Sequence, residues 1–147
     1  VLDTIARNNL VLATGHSSPA EVVMLIREAR RRGIDRIIVT HAMLAPVRMS
    51  IEQMREAARL GGKLEFVYNA LIGPNKMFDL ADYVVAIRAV GAENCVLSSD
   101  LGQTGNPLHP DGFEAFLRGL AAAGLSSREL DIMSRENPAK VLALPVR

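Results

Sequence analysis

The chain contains a single cysteine, Cys95, among 147 residues, so no intrachain disulfide can form. Its place inside an apolar run fits a packing role in a reduced compartment and leaves a nucleophilic thiol as the lesser reading. No stretch approaches the roughly 18 consecutive apolar residues needed to cross a membrane, and no basic-then-apolar leader opens the chain. A soluble, cytoplasmic protein is expected. Excess charge of either sign is also missing: 17 Lys and Arg stand against 16 Asp and Glu, a net charge of +1. Without a basic stripe to meet a phosphate backbone, nucleic acid is excluded as a partner class. The longest positive run, Arg30-Arg31-Arg32, closes a predicted helix, where cations suit the negative end of the dipole. Histidine is scarce as well, with three in the chain, and the position of each therefore carries weight.

What is present is apolar sequence in quantity: 49% of the residues are hydrophobic, enough to build one domain with a substantial core. The six Met residues are scattered and read as core filling. Val1 to Arg7 reads as the tail of a helix without a visible start, so further sequence is expected upstream.

Strand and helix signals alternate. A first apolar run, Leu10 to His16, is followed by Ser18-Pro19-Ala20-Glu21, in which Ser18 can cap a helix, Pro19 suits its first position and Glu21 completes a capping box. Val22, Val23, Ile26 and Ala29 then recur on one face, and Gly33 supplies a left-handed stop. The second run, Arg36 to His41, leads to a helix opened by Ser50 and Gln53, running through Met54, Ala57 and Ala58 and ended by Gly61-Gly62. The third strand, Lys63 to Tyr68, precedes a helix from about Phe78 to Val90 that stops at Gly91. The fourth, Asn94 to Ser99, precedes one near Asp111 to Ala123 that stops at Gly124. Ser126 to Glu129 caps a further short helix, and Asn137-Pro138 starts a last one.

Such alternation predicts an α/β fold with a parallel sheet and right-handed crossovers. Four units make about half of the roughly 250 residues of a closed (β/α)8 TIM-type barrel, so the expectation is a single domain, residues 1–147, forming half of a barrel. An open flavodoxin-like sheet fits the count almost as well, and both architectures put ligands at the carboxyl ends of the strands.

Three of the four runs end on a residue that can bind a metal: His16, His41 and Asp100. Two imidazoles and a carboxylate suit zinc first, and manganese or iron also. A lone strand-end His is more often structural, and Asp100 before Leu101-Gly102 can be a turn residue; the shared register of all three lifts them above those readings. The loop Gln103 to His109 follows Asp100 and is placed to contact a small-molecule substrate, with His109 expected in a solvated loop ahead of the helix. Asn69, Asn75 and Lys76 lie in the loop after the third strand, where Gly73-Pro74 marks a turn, and are expected to face solvent unless the fold turns them inward.

The order Thr-Gly-His16, Thr-His41, a strand end without a ligand at Tyr68-Asn69, Ser-Ser-Asp100 and a closing Glu136-Asn137-Pro138-Ala139-Lys140-Val141-Leu142 resembles the amidohydrolase superfamily of metal-dependent hydrolases, over essentially the whole chain. The resemblance implies the second half of that barrel, with His16, His41 and Asp100 as metal ligands and Asp100 also as general acid and base. It implies a structural helix start at Asn137-Pro138. The family's His-x-His at the end of strand one, and the lysine or glutamate often found on strand four, have no counterpart here. The implied function is hydrolysis of an amide, ester, lactone or phosphoester by metal-activated water. From their place in the loops beyond the strand ends, Asn69, Gln103 and His109 are the candidate substrate contacts. A decarboxylase of the same superfamily and a non-catalytic half-barrel are the alternatives. The chain is expected to form a homo-oligomer or to associate with its missing amino-terminal half.

Overall fold

The computed structural model describes residues 1–145, so the last two residues of the expected domain lie outside the described residues. Helix α1 (Leu2–Arg7) precedes four strand-helix units: β1 (Leu12–Ala13) with α2 (Pro19–Arg31), β2 (Ile37–Val39) with α3 (Ile51–Arg59), β3 (Gly62–Val67) with α4 (Leu80–Val90), and β4 (Cys95–Ser98) with α5 (His109–Ala122). Two short helices, α6 (Ser127–Asp131) and α7 (Asn137–Leu142), follow. Among the described residues no helix is long and apolar enough to cross a membrane.

The strands are all parallel and lie in the order β1-β2-β3-β4. A flavodoxin-like sheet places its second strand outside the first, so the observed order removes that alternative. Register is continuous across the sheet: Leu12 lies beside Ile37, Ile37 beside Gly62, and Leu64 beside Cys95.

Alternation along the strands separates two faces. Leu12, Ile37, Val39, Leu64, Phe66, Cys95 and Leu97 are buried in one core with Val22 and Ile26 of α2, Met54 and Ala57 of α3, and Tyr83 and Ile87 of α4. Gly62 shows how tightly strand and helices meet, since a β-carbon there would lie 3.0 Å from Val39 and 3.1 Å from Ile26. Tyr83 packs edge-on against Phe66 at 5.1 Å and donates its hydroxyl to the carbonyl of Val67 at 3.0 Å; its burial holds the phenol well above its ordinary pKa. In the alternate set Ala13 is exposed and Ile38, Lys63, Glu65 and Ser98 are half-buried, while Val67 and Val96 are buried.

The helix starts follow from local chemistry. Ser18, Ser50 and Ser126 each accept the backbone N–H three residues on, and Glu21, Gln53 and Glu129 return the bond. α4 starts at Leu80, later than Phe78, because Asp79 caps it with Asp82 at the third position. α5 starts earlier than Asp111, at His109, with Pro110 in its first turn. Gly62 belongs to β3 and not to the end of α3. Asn137 opens α7 as expected, but with no break in the helical backbone before it. The chain passes from α6 through a π turn over Ile132–Glu136 straight into α7, and the Asn137 side chain, 1% exposed, donates to the carbonyls of Ala92, Glu93 and Cys95 at 3.0, 3.1 and 2.7 Å. Its role is structural, through anchoring the start of β4 to the last helix.

Candidate active site

Each of β1, β2 and β4 is followed within three residues by one of the side chains expected to bind metal, so His16, His41 and Asp100 share the carboxyl edge of the sheet. Their backbones turn sharply there. Gly15 (φ 65°), His41 (φ 48°) and Asp100 (φ 49°) all adopt the left-handed region, which His and Asp tolerate better than most side chains and which clusters at functional sites. Two threonines extend the β1–β2 pairing past the strands themselves: Thr40 N–H donates to Thr14 Oγ1 at 3.1 Å, and Gly15 N–H donates to Thr40 Oγ1 at 3.2 Å. This double clasp sets His16 beside His41.

The two imidazoles meet at 3.2 Å, His16 Nε2 to His41 Nδ1, with ring centroids 5.1 Å apart and planes inclined at 66°. The other nitrogen of His41, Nε2, faces two carboxylates: Glu65 Oε2 at 3.7 Å and Asp100 Oδ2 at 3.8 Å. Sequence reasoning passed over Glu65. The signal was a charged residue at an alternate position of an otherwise apolar strand, Lys63-Leu64-Glu65-Phe66-Val67, which places it on the face opposite the helices. Glu65 Oε1 accepts the Ser98 hydroxyl at 2.9 Å and Oε2 accepts the His41 backbone N–H at 3.1 Å.

Asn69 does not face solvent as expected. It is 6% exposed and donates from Nδ2 to Asp100 Oδ2 at 3.1 Å, while its Oδ1 accepts from Asn75 at 3.3 Å and Asn106 at 3.2 Å. Both ends of that amide are spent on the protein, so Asn69 orients Asp100. Gln103 is exposed, donating to the Asp100 carbonyl at 3.0 Å and accepting from Asn106 at 2.7 Å. His109 is exposed in the first turn of α5 and not in a loop, and Lys76 pairs with Asp79 at 2.7 Å. Cys95 is fully buried, and its burial pushes the thiol far up from its usual pKa, which denies it the thiolate that nucleophilic chemistry needs.

The donor types fit a divalent first-row ion, and 3.2 Å between facing imidazole nitrogens is close to the spacing of about 3.3 Å that two ligands with bonds of about 2.05 Å take on a tetrahedral ion. The third donor is placed differently. Both carboxylates stand at the far nitrogen of His41, and among the described residues no three His, Cys, Asp or Glu side chains are disposed to hold one ion together.

Residues 1–65 match the model of a family of unknown function, DUF6282. No curated protein matches the sequence. Among solved structures, an amidohydrolase from Burkholderia multivorans, crystallised with bound HEPES, superposes with a TM-score of 0.67 at 15% identity, covering 98% of this chain and 56% of its own. The fold resembles an amidohydrolase's. The chain therefore spans a little over half the length of that structure, with a parallel α/β architecture common to both.

Proposed function

We propose that residues 1–147 form the carboxyl-terminal half of a metal-dependent hydrolase barrel, acting on an amide, ester, lactone or phosphoester of a small molecule. The consecutive strand order, the helices packed together on one face of the sheet and the likeness to a little over half of an amidohydrolase structure support the half-barrel. The observation that carries the site is the meeting of His16 and His41 at 3.2 Å beside Asp100, from three separate strand ends.

In this reading His16 and His41 would hold the ion, zinc first, together with ligands from the other half of the barrel, and Asp100, which stands at the far nitrogen of His41 in the free chain, would turn toward the ion to join them. When bound, such an ion supplies Lewis acidity and a lowered water pKa. Asp100 acts as the base: its carboxylate takes a proton from the attacking water as the oxygen adds to the carbonyl or phosphorus centre, then returns that proton to the departing nitrogen or oxygen. Asn69 keeps Oδ2 of that carboxylate aimed at the site through its 3.1 Å bond, and Glu65 holds His41 from below.

The test is to join the chain to its upstream half, measure bound metal, and assay a panel of amides, esters, lactones and phosphoesters before and after chelation. Turnover lost on chelation and restored by Zn²⁺ is expected. Hydrolysis indifferent to the chelator would overturn the metal reading, and release of carbon dioxide from a carboxylate substrate in place of hydrolysis would overturn the reaction class.

A further inference from the structure

β3 is the one strand of the sheet that ends without a metal-binding side chain, yet it lies between the strands that carry His41 and Asp100. Its central residue facing away from the helices is Glu65, a carboxylate whose side chain is only 18% exposed. A carboxylate so placed is costly unless its oxygens are engaged. Both are engaged, and with opposite neighbours. Oε1 accepts the hydroxyl of Ser98, on β4, at 2.9 Å; Oε2 accepts the backbone N–H of His41, at the end of β2, at 3.1 Å. The same Oε2 lies 3.7 Å from His41 Nε2.

These contacts constrain His41 twice. The bond to its backbone N–H supports the left-handed turn (φ 48°) that swings the imidazole over the sheet edge. The negative charge beside Nε2 favours a proton on that nitrogen, because carboxylate oxygens accept hydrogen bonds and donate none. With the proton on Nε2, the lone pair of His41 is on Nδ1, which is the atom that meets His16 at 3.2 Å. Asp100 Oδ2, 3.8 Å from the same Nε2, adds to that field, but Glu65 is the carboxylate tied at both oxygens.

We infer that Glu65 is a positioning residue: held by Ser98, it fixes the backbone turn of His41 and selects the imidazole tautomer protonated at Nε2, so that Nδ1 presents its lone pair toward His16. The tautomer assignment stands on the contacts of the free chain; its consequence for an ion between the two imidazoles rests on the metal reading above. A carboxylate behind a ligating histidine raises the basicity of the ligand and fixes its orientation, and loss of such a partner typically costs about 10–100-fold in metal affinity.

The experiment is nitrogen-15 NMR of the histidine rings in the metal-free chain, followed by titration with Zn²⁺ alone, for the unaltered chain, Glu65→Gln and Ser98→Ala. His41 is expected to be protonated at Nε2 in the unaltered chain. In Glu65→Gln it should become a mixture of tautomers, with Zn²⁺ affinity down about 10–100-fold; Ser98→Ala should move both in the same direction by less. The variant Ser98→Ala keeps the question open to measurement if Glu65→Gln does not fold, because it leaves the carboxylate in place and removes only its anchor. His41 protonated at Nδ1 in the unaltered chain, or an unchanged tautomer in both variants, would overturn the inference. A His41 that shows the expected tautomer and its dependence on Glu65, in a chain joined to its upstream half that still takes up no Zn²⁺, upholds the role of Glu65 and overturns the metal reading instead.

Discussion

Asp100 presents one oxygen to two neighbours, the Asn69 amide N–H at 3.1 Å and His41 Nε2 at 3.8 Å, and its side chain is 35% exposed. A base needs this combination of fixed direction and access to water. If Asp100 has the proposed roles, replacing it by Asn keeps an oxygen able to ligate and removes the proton acceptor, so in the chain joined to its upstream half Asp100→Asn is expected to lower kcat by about 100-fold or more while retaining more metal than His16→Ala combined with His41→Ala. Parallel kinetics and metal analysis check this, and full activity in Asp100→Asn would remove it from the proton-transfer role. At this scale the sequence disclosed the three strand-end residues, because an apolar run that stops on His or Asp marks the edge of a sheet whatever lies beyond it. Glu65 and Asn69 were harder to read. The meaning of Glu65 depends on which face of β3 the helices cover, and the partners of Asn69 come from residues 75, 100 and 106, brought together only by folding.

Elements were legible in proportion to how local their causes are. The three serine capping boxes need nothing beyond four consecutive residues, and all three form. Removing the Ser18 hydroxyl leaves the Glu21 N–H of α2 without its side-chain acceptor, so Ser18→Ala is expected to cost about 1 kcal/mol. A thermal melt should fall by about 3–4 °C for a chain of this size; an unchanged melting temperature would mean that water replaces the cap at no cost. The strands came out shorter than the apolar runs that announced them. β1 has only Leu12 and Ala13, because Thr14 and Thr40 take over the pairing with side-chain bonds and the chain must turn at Gly15 to present His16. The helix start at His109 was signalled by Pro110 in the first turn, a cue that the loop residues before it obscured. Asn137 was legible as a helix start from its position before proline, but the bonds of its side chain to the carbonyls of Ala92, Glu93 and Cys95, more than forty residues earlier in sequence, were not.

At the scale of the molecule, β1 pairs only with β2 and β4 only with β3 among the described residues, so the sheet has two open edges, and its face away from the helices carries the exposed Ala13 and the half-buried Ile38. Unpaired strand edges template further pairing. The 147-residue chain alone is therefore expected to self-associate, or to bind its upstream half when that is supplied, and to show little catalysis; sedimentation across a micromolar concentration series checks it. A stable monomer with one tightly held metal ion and turnover of an ester or amide would contradict it and point to a self-sufficient domain.

The order of the strands has a consequence in time. Because each strand lies beside the one made just before it, a chain emerging from the ribosome can extend its sheet one unit at a time, each new strand finding a finished neighbour and no later segment having to thread between earlier ones. The chemistry keeps a different schedule. His16 and His41 can meet once the second strand is made, whereas their carboxylate neighbours come on the third strand and at the end of the fourth, so the histidine pair can form before any carboxylate faces it. The two carboxylates reach the histidine pair only as the later strands join the sheet.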